Sequence, residues 1–116
     1  MVLNSGELTD RVTAQIRTTF DDEAGNPVSG PFEDVFTEPA KISQVRGREE
    51  VLAERLQGVR PAEIIVRQSH RTRQLAPHWR LVNARKREDA YNIHDVRDPD
   101  GKRRYLILTC TLGAPT

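Results

Sequence analysis

Apolar and polar residues alternate with a period of two along most of this chain, which predicts strands rather than helices. Over residues 10–18, Val12, Ala14 and Ile16 fall on one face and Arg11, Thr13, Gln15 and Arg17 on the other, as in a half-buried strand. Residues 20–30 are dense in turn formers (Asp21-Asp22, Gly25-Asn26-Pro27, Ser29-Gly30) and read as a loop. Extended structure returns over 32–45, with Ala40 and Ile42 as its alternating core. Pro39 cannot donate to a ladder, which predicts an edge or a bend there. After a break at Arg60-Pro61, a strand over 63–68 puts Ile64 and Val66 on one face and Ile65 on the other. Residues 69–77 are polar and basic, 78–82 predict a short strand, and 83–89 a turn.

The strongest local signal is a closing β-hairpin. Tyr91, Ile93 and Asp95 alternate along its first strand, and Tyr105 to Leu112 form its second. Between them, Pro99 is preset for the second position of a type I turn and Asp98 can bond back to the turn's backbone. Gly101 supplies the positive φ that rejoins the strands. One helical candidate interrupts the strands, over residues 47–58. Acids fill its first turn, Arg55 lies near its end, Gly58 is a natural stop, and Val51, Leu52 and Leu56 are its apolar anchors. At about ten residues it is marginal by itself. The prediction is a mainly β fold: a small antiparallel β-barrel of about six strands. Leu8, Val12, Ile16, Ile42, Ile64, Val66, Leu81, Ile93, Tyr105 and Ile107 are its expected core.

Composition narrows the setting. The 116 residues suit a single domain spanning 1–116, and with 36% hydrophobic and 30% charged residues its core is modest. The net charge of +1 hides an asymmetry: residues 1–58 hold 11 acids and 6 bases, whereas 59–116 hold 6 acids and 12 bases. Arg67, Arg71, Arg73, Arg80, Arg85, Lys86 and Arg87 form a run without an acid. Three readings fit it: a nucleic-acid surface, a charge-complementary contact between identical subunits, and a solvated edge decorated with arginine. Cys110 is the only cysteine, so no intrachain disulfide forms, and its apolar strand suits a small buried hydrophobe. The first residues lack the basic region and apolar stretch of a signal peptide, and no apolar run approaches the ~20 residues of a membrane span. A cytoplasm-like compartment is expected.

Catalytic equipment is not evident. His70, His78 and His94 make no metal-ligand spacing. Glu49-Glu50 suits a helix N-terminus and Asp21-Asp22-Glu23 a solvated loop. The serines lack a nucleophile elbow, and Gly25, Gly30 and Gly47 make no phosphate-binding pattern. Trp79 beside Arg80 could stack a base, but a lone tryptophan in a small alternating core is more often packing. No catalytic, metal or cofactor site is expected.

The order of features resembles the phage head-to-tail joining family, the head-closure or stopper proteins of tailed phages and gene transfer agents. Gly6-Glu7-Leu8-Thr9-Asp10-Arg11-Val12 is similar to that family's opening, and Asp21 to Val28 followed by Phe32-Glu33-Asp34-Val35 to its first loop. Ala40-Lys41-Ile42 leading to Gly47-Arg48-Glu49-Glu50 resembles the strand before its excursion, and Tyr91-Asn92-Ile93 with Asp98 to Leu106 its closing hairpin. Two departures stand out: the charged turn 84–89 replaces a short glycine-containing one, and Val45-Arg46 precede Gly47 where a serine is usual.

The resemblance implies a β-barrel with a long loop or short-helix excursion between strands 2 and 3. It further implies a six- or twelve-fold homo-oligomeric ring in the neck of the particle, assembled in the bacterial cytoplasm. Portal and adaptor proteins would lie above it and a tail terminator or tail tube below, with packaged double-stranded DNA in the channel. Carried onto this chain, the excursion makes Arg46, Arg48, Glu49, Glu50, Leu52, Arg55, Leu56 and Arg60 a candidate gating or inter-subunit segment. The seven-residue basic run becomes a candidate partner- or DNA-facing surface. Two alternatives are a tail-tube or tail-completion subunit and a small nucleic-acid-binding β-barrel.

Overall fold

The computed structural model describes residues 5–44, 60–99, 101 and 104–113. Its six strands are β1 (Asp10–Asp21), β2 (Pro27–Gln44), β3 (Arg60–Arg67), β4 (Arg80–Asn83), β5 (Ala90–Arg97) and β6 (Tyr105–Leu112). Every pairing is antiparallel, and the sheet closes in the order β1-β2-β3-β6-β5-β4. Closure comes from β1 meeting β4, from Val12↔Asn83 to Gln15↔Arg80. The helix candidate over 47–58 lies outside the described residues.

Alternation fills the interior. Val12, Ala14, Ala40, Ile64, Val66, Leu81 and Ile93 meet Leu106, Leu108, Cys110 and Leu112 in one core, with Ile16 and Ile42 packed at its margin. Leu75 and Trp79 from the β3–β4 connection are buried in the same core. That connection is held by Thr72, fully buried, whose Oγ1 donates to Arg67 O at 2.8 Å and accepts from Ser69 N at 2.7 Å. Pro39 lies one residue before the β2–β3 ladder begins at Ala40↔Val66, so its missing N–H costs no bond there.

Three expected core residues, Leu8, Tyr105 and Ile107, lie outside the main core instead. Tyr105 and Ile107 join Ile65 in a separate outer cluster with Leu8 packed on it. Four apolar residues in a row, Tyr105 to Leu108, carry no parity of their own. Directly paired residues share a face, so Ile64↔Leu108 turns Leu108 inward and Ile65↔Ile107 turns Ile107 out. A bulge also breaks the expected alternation of β5. Ile93 pairs with Cys110 and Asp95 with Thr109, leaving His94 as the extra residue. Asp95 is therefore exposed beside His94, and Val96 takes the inward position.

The expected loop over 20–30 is shorter than its composition suggested. β1 continues to Asp21 and β2 starts at Pro27. Asp22 compresses the reversal: its Oδ1 accepts from Ala24 N and Asn26 N, both at 2.9 Å, while Gly25 adopts φ 82°. Beyond Gln15 no β4 pairing flanks β1, and before Ala40 no β3 pairing flanks β2. Residues 16–33 are thus a two-stranded arm, reaching roughly 20 Å past the β1–β4 ladder at the usual strand rise.

Candidate assembly surface

The base of the arm is fixed by a chain of polar contacts. Gln15 is buried yet points outward from β1; its Nε2 donates to Asp34 Oδ1 at 2.6 Å. Its Oε1 accepts from Arg80 Nε and Nη2 at 2.9 and 2.7 Å. Arg80 lies over the Phe32 ring at 3.9 Å and Arg17 over the same ring at 4.5 Å, so one aromatic serves two cations. Burial first, and the neighbouring Arg17 charge second, pull the Arg80 guanidinium below its ordinary value. Arg87 closes the chain on Asp34, with Nη2 at 3.1 and 3.2 Å from the two carboxylate oxygens. The bonds from Gln15 and then Arg87 hold the Asp34 carboxyl below its usual range.

The basic run is accordingly split. Arg80 and Arg87 belong to the arm's anchor. Lys86 sits 3.8 Å from Glu88 and 3.9 Å from Asp89 in its own turn, where Arg85 is exposed. Arg71 reaches Glu38 Oε1 at 2.7 Å, outside hydrogen-bond alignment, and lies over Phe36 at 5.6 Å. Arg73 Nε donates to Gln68 Oε1 at 3.3 Å. Arg67, exposed at the end of β3, has no ion pair among the described residues, and neither does exposed Arg104 just before β6. With Gln68 and Tyr105 these two arginines line an open cleft of about 380 Å³. A neighbouring space of about 300 Å³ is lined by Arg67 with Leu8, Glu38 and Pro39.

Of the candidate gating segment, only Arg60 is described, exposed at the start of β3; Arg46, Arg48, Glu49, Glu50, Leu52, Arg55 and Leu56 lie outside the described residues. The flanks are well placed: Gln44 pairs with Ala62 and Ser43 with Glu63, so the chain leaves and re-enters at adjacent positions.

Trp79 is buried against Phe36, with ring centroids 5.9 Å apart, and serves as packing. His94 Nε2 lies 2.7 Å from Thr111 Oγ1 on the outer face. Among the described residues no three His, Cys, Asp or Glu side chains converge as metal ligands do. Burial pushes the Cys110 thiol up to about 12.

The half-chain charge count obscured a second feature. Residues 18–40 contain Asp21, Asp22, Glu23, Glu33, Asp34 and Glu38 and no base, so the arm is the acidic counterpart of the basic run. Scanning with a window the length of one hairpin would have found it. Val28 and Val35, the exposed large hydrophobic residues of the described structure, are also on β2.

A family model described as "Phage head completion protein" matches residues 3–113. No curated protein sequence matches the chain. Among solved structures, a chain from the virion of a native gene transfer agent particle superposes with a TM-score of 0.63 at 17% identity, covering 91% of this chain and 94% of that one. A solution structure of a protein from Shigella flexneri 2a gives a TM-score of 0.68 at 24% identity, covering 98% and 100%. Both share the fold.

Proposed function

This chain belongs to the phage head completion protein family, and from that membership we propose that it is a non-enzymatic ring subunit of a tailed particle's neck. The ring sits beneath the portal and adaptor, closes the DNA-filled head and offers the docking surface for the tail. The single observation that carries this reading is the family match over residues 3–113, nearly the whole chain. The barrel itself suits the role, because closure leaves a rigid body whose arm and turns are free to vary as contact surfaces. We assign the gating role to the connection between Gln44 and Arg60, which starts and ends at one rim of the barrel.

The alternative of a free nucleic-acid-binding barrel loses part of its motive. Arg71, Arg80, Lys86 and Arg87 are engaged by Glu38, Gln15, Glu88, Asp89 and Asp34 of the same chain. A gel shift with short duplex DNA should therefore show only weak binding.

Particles assembled without this chain test the reading. Electron micrographs should show heads that have lost DNA and carry no tails; DNA-filled, tailed particles would overturn it. The purified chain should sediment as a monomer or weak oligomer, because a small core and oppositely charged surfaces favour assembly on a preformed connector. A stable closed ring at micromolar concentration without partners is the contrary result.

A further inference from the structure

The acidic tip of the arm and the open arginine cleft are complementary surfaces on different walls of one barrel. Asp21 and Glu23 are exposed at the tip and have no ion pair among the described residues. Val28, more than a third exposed, stands beside them on β2. At the cleft, Arg67 and Arg104 likewise have no ion pair among the described residues. Two described acids nearby are already committed: Asp98 accepts from Gln68 Nε2 at 3.0 Å and from Gly101 N at 3.1 Å, and Glu38 faces Arg71. Arg67 also borders Leu8 and Pro39, an apolar margin of the kind an exposed valine fits.

We propose that the arm tip of one copy seats in the Arg67–Arg104 cleft of the next, Asp21 and Glu23 pairing with the guanidiniums and Val28 packing against Leu8 and Pro39. The occupant is a second copy of this chain because its own arm carries the matching charge and apolar contact. Arm and cleft are distinct: in the closed order, the β1–β2 seam and the β3–β6 seam stand two strand spacings apart. A contact between two different patches is heterologous, so it propagates from copy to copy and makes a ring when the rotation between copies closes. It also explains the arm's length, since a two-stranded ribbon is marginal in water until something packs on it. This inference rests on the ring reading proposed above.

Disulfide trapping in the full-length chain tests it, and traps even a weak contact. Cys110 is buried and will not compete. Glu23→Cys and Arg104→Cys variants, mixed at high concentration and oxidised, should yield covalent dimers well above either variant alone. The double variant should yield a ladder. Thr109→Cys, exposed elsewhere on β6, should not cross-link to Glu23→Cys. Adding Arg67→Glu to the Arg104→Cys copy should lower the yield about fivefold, as loss of a surface pair does. Asp21→Lys on the Glu23→Cys copy should restore it. No mixed dimer above the single-variant level, or no rescue, overturns the docking. Rings seen in particles without the cross-link would leave the ring reading standing; particles without a ring would sink that reading itself.

Discussion

Truncating Leu108 should cost far more than truncating its neighbour Ile107, although both are buried. Leu108 is fully inaccessible and packs within the closed core, whereas Ile107, 4% exposed, packs in the smaller outer cluster with Ile65, Tyr105 and Leu8. Leu→Ala and Ile→Ala each remove three carbons, about 2.4 kcal/mol of transfer free energy at ~0.8 per methylene. Inside a closed barrel the hole cannot collapse, and a cavity penalty brings Leu108→Ala to about 3–5 kcal/mol. On the outer face, side chains relax and water enters, so Ile107→Ala should cost about 2 kcal/mol or less. Equilibrium urea unfolding followed by circular dichroism resolves that gap. Equal losses, or a larger loss for Ile107→Ala, would refute the inward assignment of Leu106, Leu108 and Cys110 and with it the β3–β6 register.

Gln15→Ala should destabilise the fold by about 1–3 kcal/mol, because it unties Asp34 and Arg80 together; a urea midpoint equal to wild type would show the network to be ornamental. Asp34 gives a pH signature: its carboxyl is held below the ordinary 3.8, so its contribution is present above that value and fades as pH falls through the lower folded value. Wild type should therefore exceed Asp34→Asn in stability at neutral pH and converge with it in acid. The difference should be small, since Asp34 is half exposed.

Much of the barrel was legible in the chain, for identifiable reasons. The β5–β6 hairpin announced itself because Asp98, Pro99 and Gly101 each have one conformational use; Asp98 Oδ1 does accept from Gly101 N, and Gly101 sits at φ 67°. Strands with strict alternation, such as β1, showed their inward faces directly. Tyr105 to Leu108 did not, since a continuous apolar run takes its face from its partner strand, and those partners, Ile64 to Arg67, are 38–44 residues distant in sequence. The bulge at His94 left no composition cue, because any residue can be the extra one. The outer part of the arm, residues 20–30, reads as a loop because Asp22 and Gly25 dominate its composition while only the residues between Asp22 and Asn26 turn. Basic residues were visible as a run, but which ones stay unpaired depends on Asp34, Glu38 and Gln15, carried by strands far away in sequence.

The connection between β2 and β3 allows the barrel and the proposed gate to be separated experimentally. Gln44 and Ala62 are direct cross-strand partners, so the fifteen residues 45–59 bridge two chain ends that are already adjacent. Deleting residues 49–57 leaves six, including Gly47 and Gly58, enough for an ordinary antiparallel turn. Shortening a closed loop lowers its closure entropy as the logarithm of its length, a gain of about 0.8 kcal/mol for this change. The deletion variant should therefore unfold at the same urea concentration as wild type or slightly higher. Particles built with it should nevertheless lose DNA or fail to join tails, if the connection closes the channel as proposed. The two outcomes are independent. A collapse in stability would mean that the connection is part of the core. Full DNA retention and normal tail attachment with an intact barrel would leave the fold as described and remove the gate from this segment.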